Sequence, residues 1–443
     1  MKNLLRKLAG LLCAGMIVML SGCSMPELVL NPEELYGLPE LPAKYKELNS
    51  RINAILEGGA EYAAPTSGTN IQPVQLVDLD GDRQDEALAF FRKSDDEKPL
   101  KIYIFSGEGD SYQQSDLIEA SGTGISSIEY TDMDGDGSRE LIVGWKATAE
   151  LQVLEVYSRR PAGTEALLRT SYVKYIVSDL DGGGRQELTV LRADEEGGSI
   201  ADCYSWQGDG DLSRGAPARI SATMAELNRQ GRVSVGVLRN EEPALFVTGV
   251  TETPAAVTDI LTLHGGEPVN ITLSDETGVS EEIAPFCGLY PTDINGDGLT
   301  EVPRPVTDGA ACIIEWYSYG ADGTETAVLQ TCHNMTDKWY LQLPQSWNQQ
   351  VRASRSTTTG EASVTFYIRE SGAAFLRITA YTGTNRELRA VRGNQFLISR
   401  QQEIIYTAEL LEANETWSGS ITADEVRGAF SLILPEWTAG SNE

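Results

Sequence analysis

The chain has 443 residues, of which 41% are hydrophobic and 23% are charged. This balance is typical of a globular protein with two or three domains and excludes an intrinsically disordered chain. The formal net charge of −30 repels nucleic acid and anionic lipid head groups, so we expect neither to bind the folded part.

The first 22 residues have the pattern of a bacterial export signal. Residues 1–7 are basic, and residues 8–20 form an apolar run that is too short to span a bilayer comfortably. The following Leu20-Ser21-Gly22-Cys23 resembles a lipobox, which implies that Cys23 is acylated and becomes the first residue of the mature chain. We therefore expect a signal peptide at 1–22 and an extracytoplasmic protein that is lipid-anchored to the bacterial cell membrane. An ordinary signal peptide with an incidental cysteine is the alternative.

Residues 23–65 connect this anchor to the rest of the chain. A proline-rich tether is predicted for 24–41 and one short helix for 44–56. The helix has four apolar residues on one face and ends at a pair of glycines. These are Tyr45, Leu48, Ile52 and Ile55, followed by Gly58 and Gly59. We expect the apolar face to pack on the domain that follows.

An acidic motif of nine residues returns along the chain between residues 66 and 336. Its intact copies have acidic or amide side chains at positions 1, 3, 5 and 9, and glycine at position 4, where the chain turns tightly. These copies are DLDGDRQDE at 78–86, DMDGDGSRE at 132–140 and DINGDGLTE at 293–301. The copy at 179–187 has Gly183 at position 5, and a degenerate copy is predicted at 226–234 from the β-forming residues that follow it.

The spacing of the motifs favours a β-propeller. Their first residues are separated by 54, 47, 47 and 67 residues, which is around the length of one four-stranded blade. β-forming residues follow each motif, and no segment of ten residues or more in this region has the 3.6-residue period of a helix. We therefore predict a mainly β protein with a β-propeller of about five four-stranded blades at 66–336.

The intact copies resemble the FG-GAP/VCBS repeat, which is found in the propellers of integrin α-subunits and in many bacterial surface proteins. Oxygen ligands in this arrangement suit a hard cation such as Ca²⁺. The resemblance implies that each loop binds Ca²⁺ through the side chains at positions 1, 3, 5 and 9 and the backbone carbonyl at position 7. The implied ligands are Asp78, Asp80, Asp82, Gln84 and Glu86 in the first loop; Asp132, Asp134, Asp136, Ser138 and Glu140 in the second; and Asp293, Asn295, Asp297, Leu299 and Glu301 in the last.

The remaining two copies depart from this pattern. The copy at 179–187 keeps Asp179, Asp181 and Glu187 and is expected to bind weakly or not at all. The copy at 226–234 has lost the site. Solvated acidic turns without a metal are the alternative for all of these loops, because Asp and Gly are favoured in turns anyway.

Four cysteines remain beyond the signal and the anchor. Cys312 and Cys332 flank the predicted turn around Asp322 symmetrically, so a hairpin centred there would place them opposite each other, within reach of a disulfide bond. Two buried free thiols are the alternative. Cys203 and Cys287 show no metal-ligand spacing and are predicted to be core residues.

After about residue 336 the repeat ends, and an α+β domain is predicted for 337–443. Strands are expected at 363–369, 374–382, 395–399 and 404–410. A capping box at 422–425 predicts a closing helix with Val426, Phe430 and Ile433 on its apolar side. This segment resembles the C-terminal part of clostridial-type lipoproteins with the same repeats, a resemblance that implies no activity.

No catalytic motif was found in the sequence. Only His264 and His333 are present, and neither has the context of a catalytic triad, so we predict a structural role for both. The favoured hypothesis is a non-enzymatic binding or scaffold module at the cell surface, with an unknown protein or carbohydrate ligand. One alternative is an extracellular polysaccharide-active enzyme that uses acidic residues on the propeller. Another is a spacer that presents the C-terminal domain to a partner protein.

Overall fold

The computed structural model describes residues 45–108, 111–160, 163–206, 212–306 and 313–433. These residues form a mainly β protein of six antiparallel sheets, so the prediction of a mainly β chain is confirmed. The predicted signal peptide, Cys23 and the tether lie outside the described residues. Within the described residues, no helix has both the length and the apolar character needed to cross a membrane.

Each of the first five sheets contains four strands that follow one another in the chain, and all but the second sheet have a fifth strand in addition. The first sheet contains β1 (Glu61–Tyr62), β2 (Val74–Val77), β3 (Glu86–Arg92), β4 (Leu100–Glu108) and β5 (Ser111–Ala120), with both β1 and β2 beside β3. The second contains β6 (Gly124–Thr131), β7 (Glu140–Lys146), β8 (Gln152–Arg160) and β9 (Gly163–Tyr172). The third contains β10 (Lys174–Ser178), β11 (Glu187–Ala193), β12 (Ser199–Trp206) and β13 (Leu212–Arg214), with β14 (Ala218–Ile220) also beside β12.

The next two sheets repeat this order. The fourth contains β15 (Arg232–Val237), β16 (Pro243–Val250), β17 (Ala255–His264) and β18 (Glu267–Asn270), with β19 (Ile283–Pro285) also beside β17. The fifth contains β20 (Glu301–Pro305), β21 (Ile313–Tyr319), β22 (Glu325–Asn334) and β23 (Trp339–Leu343). The strand expected near Trp339 is therefore present and completes this sheet.

Successive sheets pack face to face because their central strands are apolar on both sides. Side chains alternate between the two faces of a strand, so continuous apolar runs such as residues 87–91 supply two buried surfaces. Each neighbouring pair of sheets shares one hydrophobic cluster. Representative members are Leu88, Phe90, Leu141 and Val143 for the first pair; Ile142, Val156, Leu188 and Val190 for the second; Leu191, Cys203, Leu245 and Val247 for the third; and Phe246, Ile260, Val302 and Tyr319 for the fourth.

The outer face of the first sheet is covered by helix α1 (Lys46–Glu57). Leu48 and Ile52 of this helix are buried against Ala89 and Phe91, which confirms the predicted helix and its apolar face. Among the described residues, no hydrophobic cluster contains residues of both the first and the fifth sheet. The β-propeller therefore stays a prediction, and five antiparallel sheets packed in series are what the coordinates establish.

The predicted fourth copy of the motif was placed on the wrong segment. Residues 226–234 lie on helix α2 (Met224–Gln230) and on the start of β15. In the first three sheets the motif joins the first strand to the second, and the corresponding connection in the fourth sheet begins at Leu238. The repeat starts at 78, 132, 179, 238 and 293 are then separated by 54, 47, 59 and 55 residues. The error arose because β15 was aligned with the second strand of the other sheets.

The sixth sheet follows the short 3₁₀ turn Gln345–Trp347. It contains β24 (Val351–Thr358), β25 (Glu361–Ile368), β26 (Ala374–Thr382), β27 (Phe396–Arg400) and β28 (Ile404–Leu410), with helices α3 (Arg386–Ala390), α4 (Ala413–Thr416) and α5 (Ala423–Ala429). Four of these strands were predicted and β24 was not. The sixth sheet packs on the fifth through a core that includes Trp339, Trp347, Phe366 and Phe375.

The last helix was predicted correctly at its start and wrongly at its end. Thr422 and Glu425 form the expected capping box. The helix ends at Ala429, and Phe430 instead begins β29 (Phe430–Leu432), which pairs with β23 of the fifth sheet. Ile433, the other residue expected on the helix, lies beyond β29 and packs beside Trp316.

The structure describes three of the four cysteines: Cys203 is a buried core residue as predicted, whereas Cys287, also predicted to lie in the core, is only partly buried. Cys332 is disulfide-bonded, and its predicted partner Cys312 lies outside the described residues. Cys203 and Cys287 are free thiols. Cys203 is buried in the core between the third and fourth sheets, where it packs as a small apolar side chain.

Candidate metal sites

Four acidic loops share one position in the fold. Each loop ends at a glutamate that is the first residue of a long strand. These glutamates are Glu86 on β3, Glu140 on β7, Glu187 on β11 and Glu301 on β20. All four are buried, so the strand fixes one carboxylate at the base of each loop while the other acids lie toward solvent.

The glutamate closes its loop through one backbone hydrogen bond. Its Oε2 atom accepts from the N–H group of the residue at position 2, which is buried in a neighbouring core. The donors are Leu79, Met133, Leu180 and Ile294, at N···O distances of 2.9, 3.0, 2.8 and 3.2 Å. This bond ties the start of the loop to its end in every copy.

The carboxylate of the first aspartate of each loop accepts hydrogen bonds from backbone N–H groups of the turn. In the second loop, Asp132 accepts hydrogen bonds from the N–H groups of Gly135 and Gly137 at 2.7 and 3.0 Å. Asp78 and Asp293 accept the equivalent pairs in the first and last loops. The glycine at position 4 has φ between 70 and 78° in all four loops, a left-handed conformation that favours glycine.

Three of the predicted ligand side chains converge in each of the first three loops, whereas Asp82, Glu140 and the ligands of the last loop do not belong to such a group among the described residues. Single carboxylate oxygens lie within 4.8 Å of one another in three groups, which are Asp78, Asp80 and Glu86; Asp132, Asp134 and Asp136; and Asp179, Asp181 and Glu187. In the last loop the Asn295 amide donates to Asp297 Oδ2 at 2.9 Å, so these two predicted ligands are also in contact.

The residues at position 7 support the acids through their backbones. The N–H groups of Gln84, Ser138 and Leu299 each donate to the position-5 aspartate, at 2.7, 2.7 and 2.8 Å. In the first loop that aspartate is Asp82. Their carbonyl oxygens stay predicted metal ligands.

Two buried carboxylate oxygens in these loops lack a hydrogen-bond partner among the described residues. They are Glu301 Oε1 in the last loop and Asp179 Oδ1 in the third. A buried carboxylate oxygen without a partner is costly, because its lost hydration is not replaced. A cation in the loop would supply the missing interaction, so the residues present fit a bound metal ion.

Burial also perturbs the ionisation of the glutamates. It raises the pKa of Glu140 to about 7 and that of Glu301 to about 7, and the neighbouring aspartates add to both shifts. Burial likewise raises the pKa of Glu86 and Glu187. These carboxylates are therefore harder to ionise than ordinary surface acids.

Sequence reasoning missed a serine that faces each glutamate from the adjacent strand. Glu301 is paired with Ser318, and the Ser158 hydroxyl donates to Glu140 Oε1 at 3.1 Å. Ser106 and Ser205 take the same place, one residue beyond the register pairs Ala87↔Phe105 and Leu188↔Tyr204. The signal was visible in the sequence, because an aromatic residue precedes each of these serines. The pairs are Phe105-Ser106, Tyr157-Ser158, Tyr204-Ser205 and Tyr317-Ser318.

The first two loops are in direct contact. The Arg139 N–H group donates to the Leu79 carbonyl at 2.7 Å. A Cβ atom added to Gly81 would lie only 2.6 Å from the carbonyl oxygen of Gly137, so the two backbones touch at this point. The first two loops thus form one continuous acidic surface.

The two histidines and the acidic residues Glu282 and Glu325 are engaged in packing, a hydrogen bond and ion pairs. His333 is buried, stacks on Tyr340 at a ring separation of 4.9 Å, and has its pKa lowered to about 3 by burial. Glu282 and Glu325 both contact the Arg304 guanidinium, whose hydrogen bond lowers the pKa of Glu325. His264 is exposed at the end of β17, within 3.3 Å of the Thr262 hydroxyl.

Comparison with known proteins does not identify a family. No protein-family model and no curated protein matches the chain. Among solved structures, a putative 6-phosphogluconolactonase from Bacteroides uniformis is similar at 15% identity and a TM-score of 0.26, over 79% of this chain and 97% of that one. AofleA from Arthrobotrys oligospora is similar at 10% identity and a TM-score of 0.25, over 72% and 89%. At these scores the likenesses carry no argument about fold or function.

Proposed function

We propose that the protein is a lipid-anchored, extracytoplasmic calcium-binding module that serves as a binding partner or scaffold at the bacterial cell surface. The observation that carries the metal part is the buried Oε1 atom of Glu301, which has no hydrogen-bond partner among the described residues and lies close enough to Asp293 and Asp297 for their charges to raise its pKa. The recurrence of the same loop at the start of β3, β7 and β11 supports it.

The residues of each loop have separate roles in this proposal. Asp293, Asn295 and Asp297 would hold the ion from the solvent side, and Glu301 would hold it from the strand. Ca²⁺ takes six to eight oxygen ligands. Bound in the loop, it would neutralise the charge of these carboxylates. The second loop would do the same with Asp132, Asp134, Asp136 and Glu140, and the third, with Gly183, has fewer ligands.

Calcium titration tests this part of the proposal. The full chain should bind Ca²⁺ in isothermal titration calorimetry, and Glu301→Gln should lose one ion per chain. Glu281→Gln is the matched control, because Glu281 is an exposed acid outside the loops. Absence of calcium binding by the unmodified chain would contradict the proposal.

The proposal includes a propeller-like arrangement of the five sheets. Face-to-face packing of consecutive four-stranded sheets supports it, and α1 covers the face on which a closing blade would pack. We therefore infer an open series of blades. A crystal structure of the calcium-bound chain tests this inference, and packing of the fifth sheet on Ala89 and Phe91 would contradict it.

The lipid anchor is proposed from the lipobox-like sequence at Cys23. Metabolic labelling with an alkyne fatty acid should label the protein in its host, and Cys23→Ala should abolish both the label and the membrane association. Unchanged labelling of the variant would contradict the assignment of Cys23.

Support for a binding role comes from a groove of about 690 Å³ beside the sixth sheet. Trp417, Arg369 and Gln350 are among its lining residues, and such a mixture of one aromatic and several polar side chains suits a carbohydrate or a peptide. A glycan and peptide array with Trp417→Ala as the comparison tests this role. Equal binding by the variant would remove the groove from the proposal.

A further inference from the structure

Arg159 enters the first acidic loop from the neighbouring sheet. The residue lies on β8 of the second sheet, and its Nη1 atom lies 3.1 Å from Glu86 Oε1 and 3.3 Å from Asp80 Oδ2. Its Nη2 atom donates to the Ser106 hydroxyl at 2.7 Å. The guanidinium therefore contacts two of the predicted calcium ligands and the serine that faces the glutamate.

The glutamates of the second and last loops have different contacts from Glu86. Glu86 Oε2 accepts from the Leu79 N–H group and its Oε1 contacts the charged Arg159, whereas Glu140 Oε1 in the second loop accepts from the neutral Ser158 hydroxyl. Glu301 Oε1 has no such partner. The residue of the third sheet that corresponds to Arg159 is Trp206, which is buried among the apolar side chains between the second and third sheets. An arginine cation thus reaches the first loop, while an apolar side chain takes the corresponding place beside the second.

We infer that Arg159 is a built-in cation that takes the place of calcium in the first loop. This inference rests on the proposed function, because it assumes that the unobstructed loops bind the ion. A guanidinium on two ligand oxygens satisfies them without a metal, and its positive charge opposes a second cation at the same point. The first acidic loop would then be stabilised without calcium, whereas the second and last acidic loops would depend on the ion.

The number of calcium ions per chain tests the inference. Equilibrium dialysis followed by elemental analysis, at about 5 mM free Ca²⁺ to saturate weak extracellular-type sites, gives this number for each variant. Asp80→Asn combined with Asp82→Asn should leave the number unchanged in the parent chain. Arg159→Met should add one ion, and the two Asn substitutions should remove that ion again. Arg160→Met is the matched control, because Arg160 is next in the strand and its side chain points to the other face.

The outcomes separate this inference from the proposed function. Loss of one ion from the parent chain on substitution of Asp80 and Asp82 would overturn the inference and leave the proposed function intact. A parent chain without calcium and an Arg159→Met variant with one ion would overturn the proposed binding at the other loops and support the inference. No ion in either protein would overturn both.

Discussion

Gly81 and Gly135 occupy the same position of the first two loops and have φ values of 73° and 78°. Their surroundings differ, because a Cβ atom on Gly81 would meet the Gly137 carbonyl oxygen at 2.6 Å, whereas one on Gly135 would meet nothing within 4 Å. The conformational cost of alanine is therefore common to both positions, and the steric cost belongs to Gly81 alone.

Gly135→Ala should lower the free energy of unfolding by about 1 kcal/mol, the cost of a left-handed residue with a Cβ atom. Gly81→Ala should lower it by roughly 2 to 4 kcal/mol, because the loops must also separate. Urea unfolding of both variants checks the difference. Equal losses would show that the two loops do not touch in solution.

The buried Glu140 carboxyl predicts an unusual pH dependence for the calcium-free protein. Burial raises its pKa to about 7 from an ordinary value of 4.5, so folding favours the neutral form. This contribution to stability is fully present below pH 4.5 and is lost as the pH rises through 7. Calcium binding has the opposite trend, because the ion needs the carboxylate and competes with its proton.

Glu140→Gln should reduce the fall in stability of the calcium-free protein between about pH 5 and pH 8. The amide can still accept from the Met133 N–H group and can donate to Ser158, so the fold of the loop is kept. Urea unfolding in EDTA measures this slope, with Glu281→Gln as the control. A slope equal to that of the parent chain would show that Glu140 does not titrate in this range.

At the scale of residues, the acidic loops were predictable from the sequence, but the residues that contact them from other strands were not. The spacing of acids and glycines places Asp132, Asp134 and Asp136 together because a tight turn leaves few alternatives. The contact of Gly81 with Gly137 and the entry of Arg159 depend on how two sheets meet, and no local pattern encodes that. The serines opposite the glutamates follow from strand register, which becomes readable only when strand ends are known.

Helix α2 was missed because the motif alignment was preferred to the local capping signal in the sequence. Thr223 and Glu226 form a capping box, and the T-x-x-E spacing was present in the sequence. The β-forming residues 235–237 were instead aligned with the second strand of the other sheets, although they belong to the first strand. A seven-residue helix is too short to give a clear period, so only its cap could have located it.

Helix α1 predicts a measurable contribution from the covered face of the first sheet. Ile52 is 5% exposed and packs on that face, whereas Ile55 is half-buried at its edge. Ile52→Ala should lower the free energy of unfolding by about 3 kcal/mol, and Ile55→Ala by about 1 kcal/mol, because burial sets the cost. Urea unfolding compares the two. Equal and small losses would show that α1 does not cover the sheet in solution.

At the scale of the molecule, the sheets form a series that is covered at its first face by α1 and joined at its last sheet to the sixth. Five repeated units with apolar β strands were predictable from the sequence, because four copies of the acidic motif each precede such a strand. The two ends of the series were not predictable, because they depend on which surfaces are covered by α1 and by the sixth sheet. The net charge of −30 adds to the repulsion among the loop acids, which bound cations would relieve.

Calorimetric melting of the full chain in calcium and in EDTA tests the proposed role of the loops most directly. With free Ca²⁺ at about 100 times the dissociation constant, each occupied site adds roughly 2.7 kcal/mol, so two sites should raise Tm by about 5 to 10 °C. Mg²⁺ at the same concentration should raise it less, because it demands a tighter octahedral shell. The same Tm in Ca²⁺ and in EDTA would contradict the proposal that calcium holds these loops.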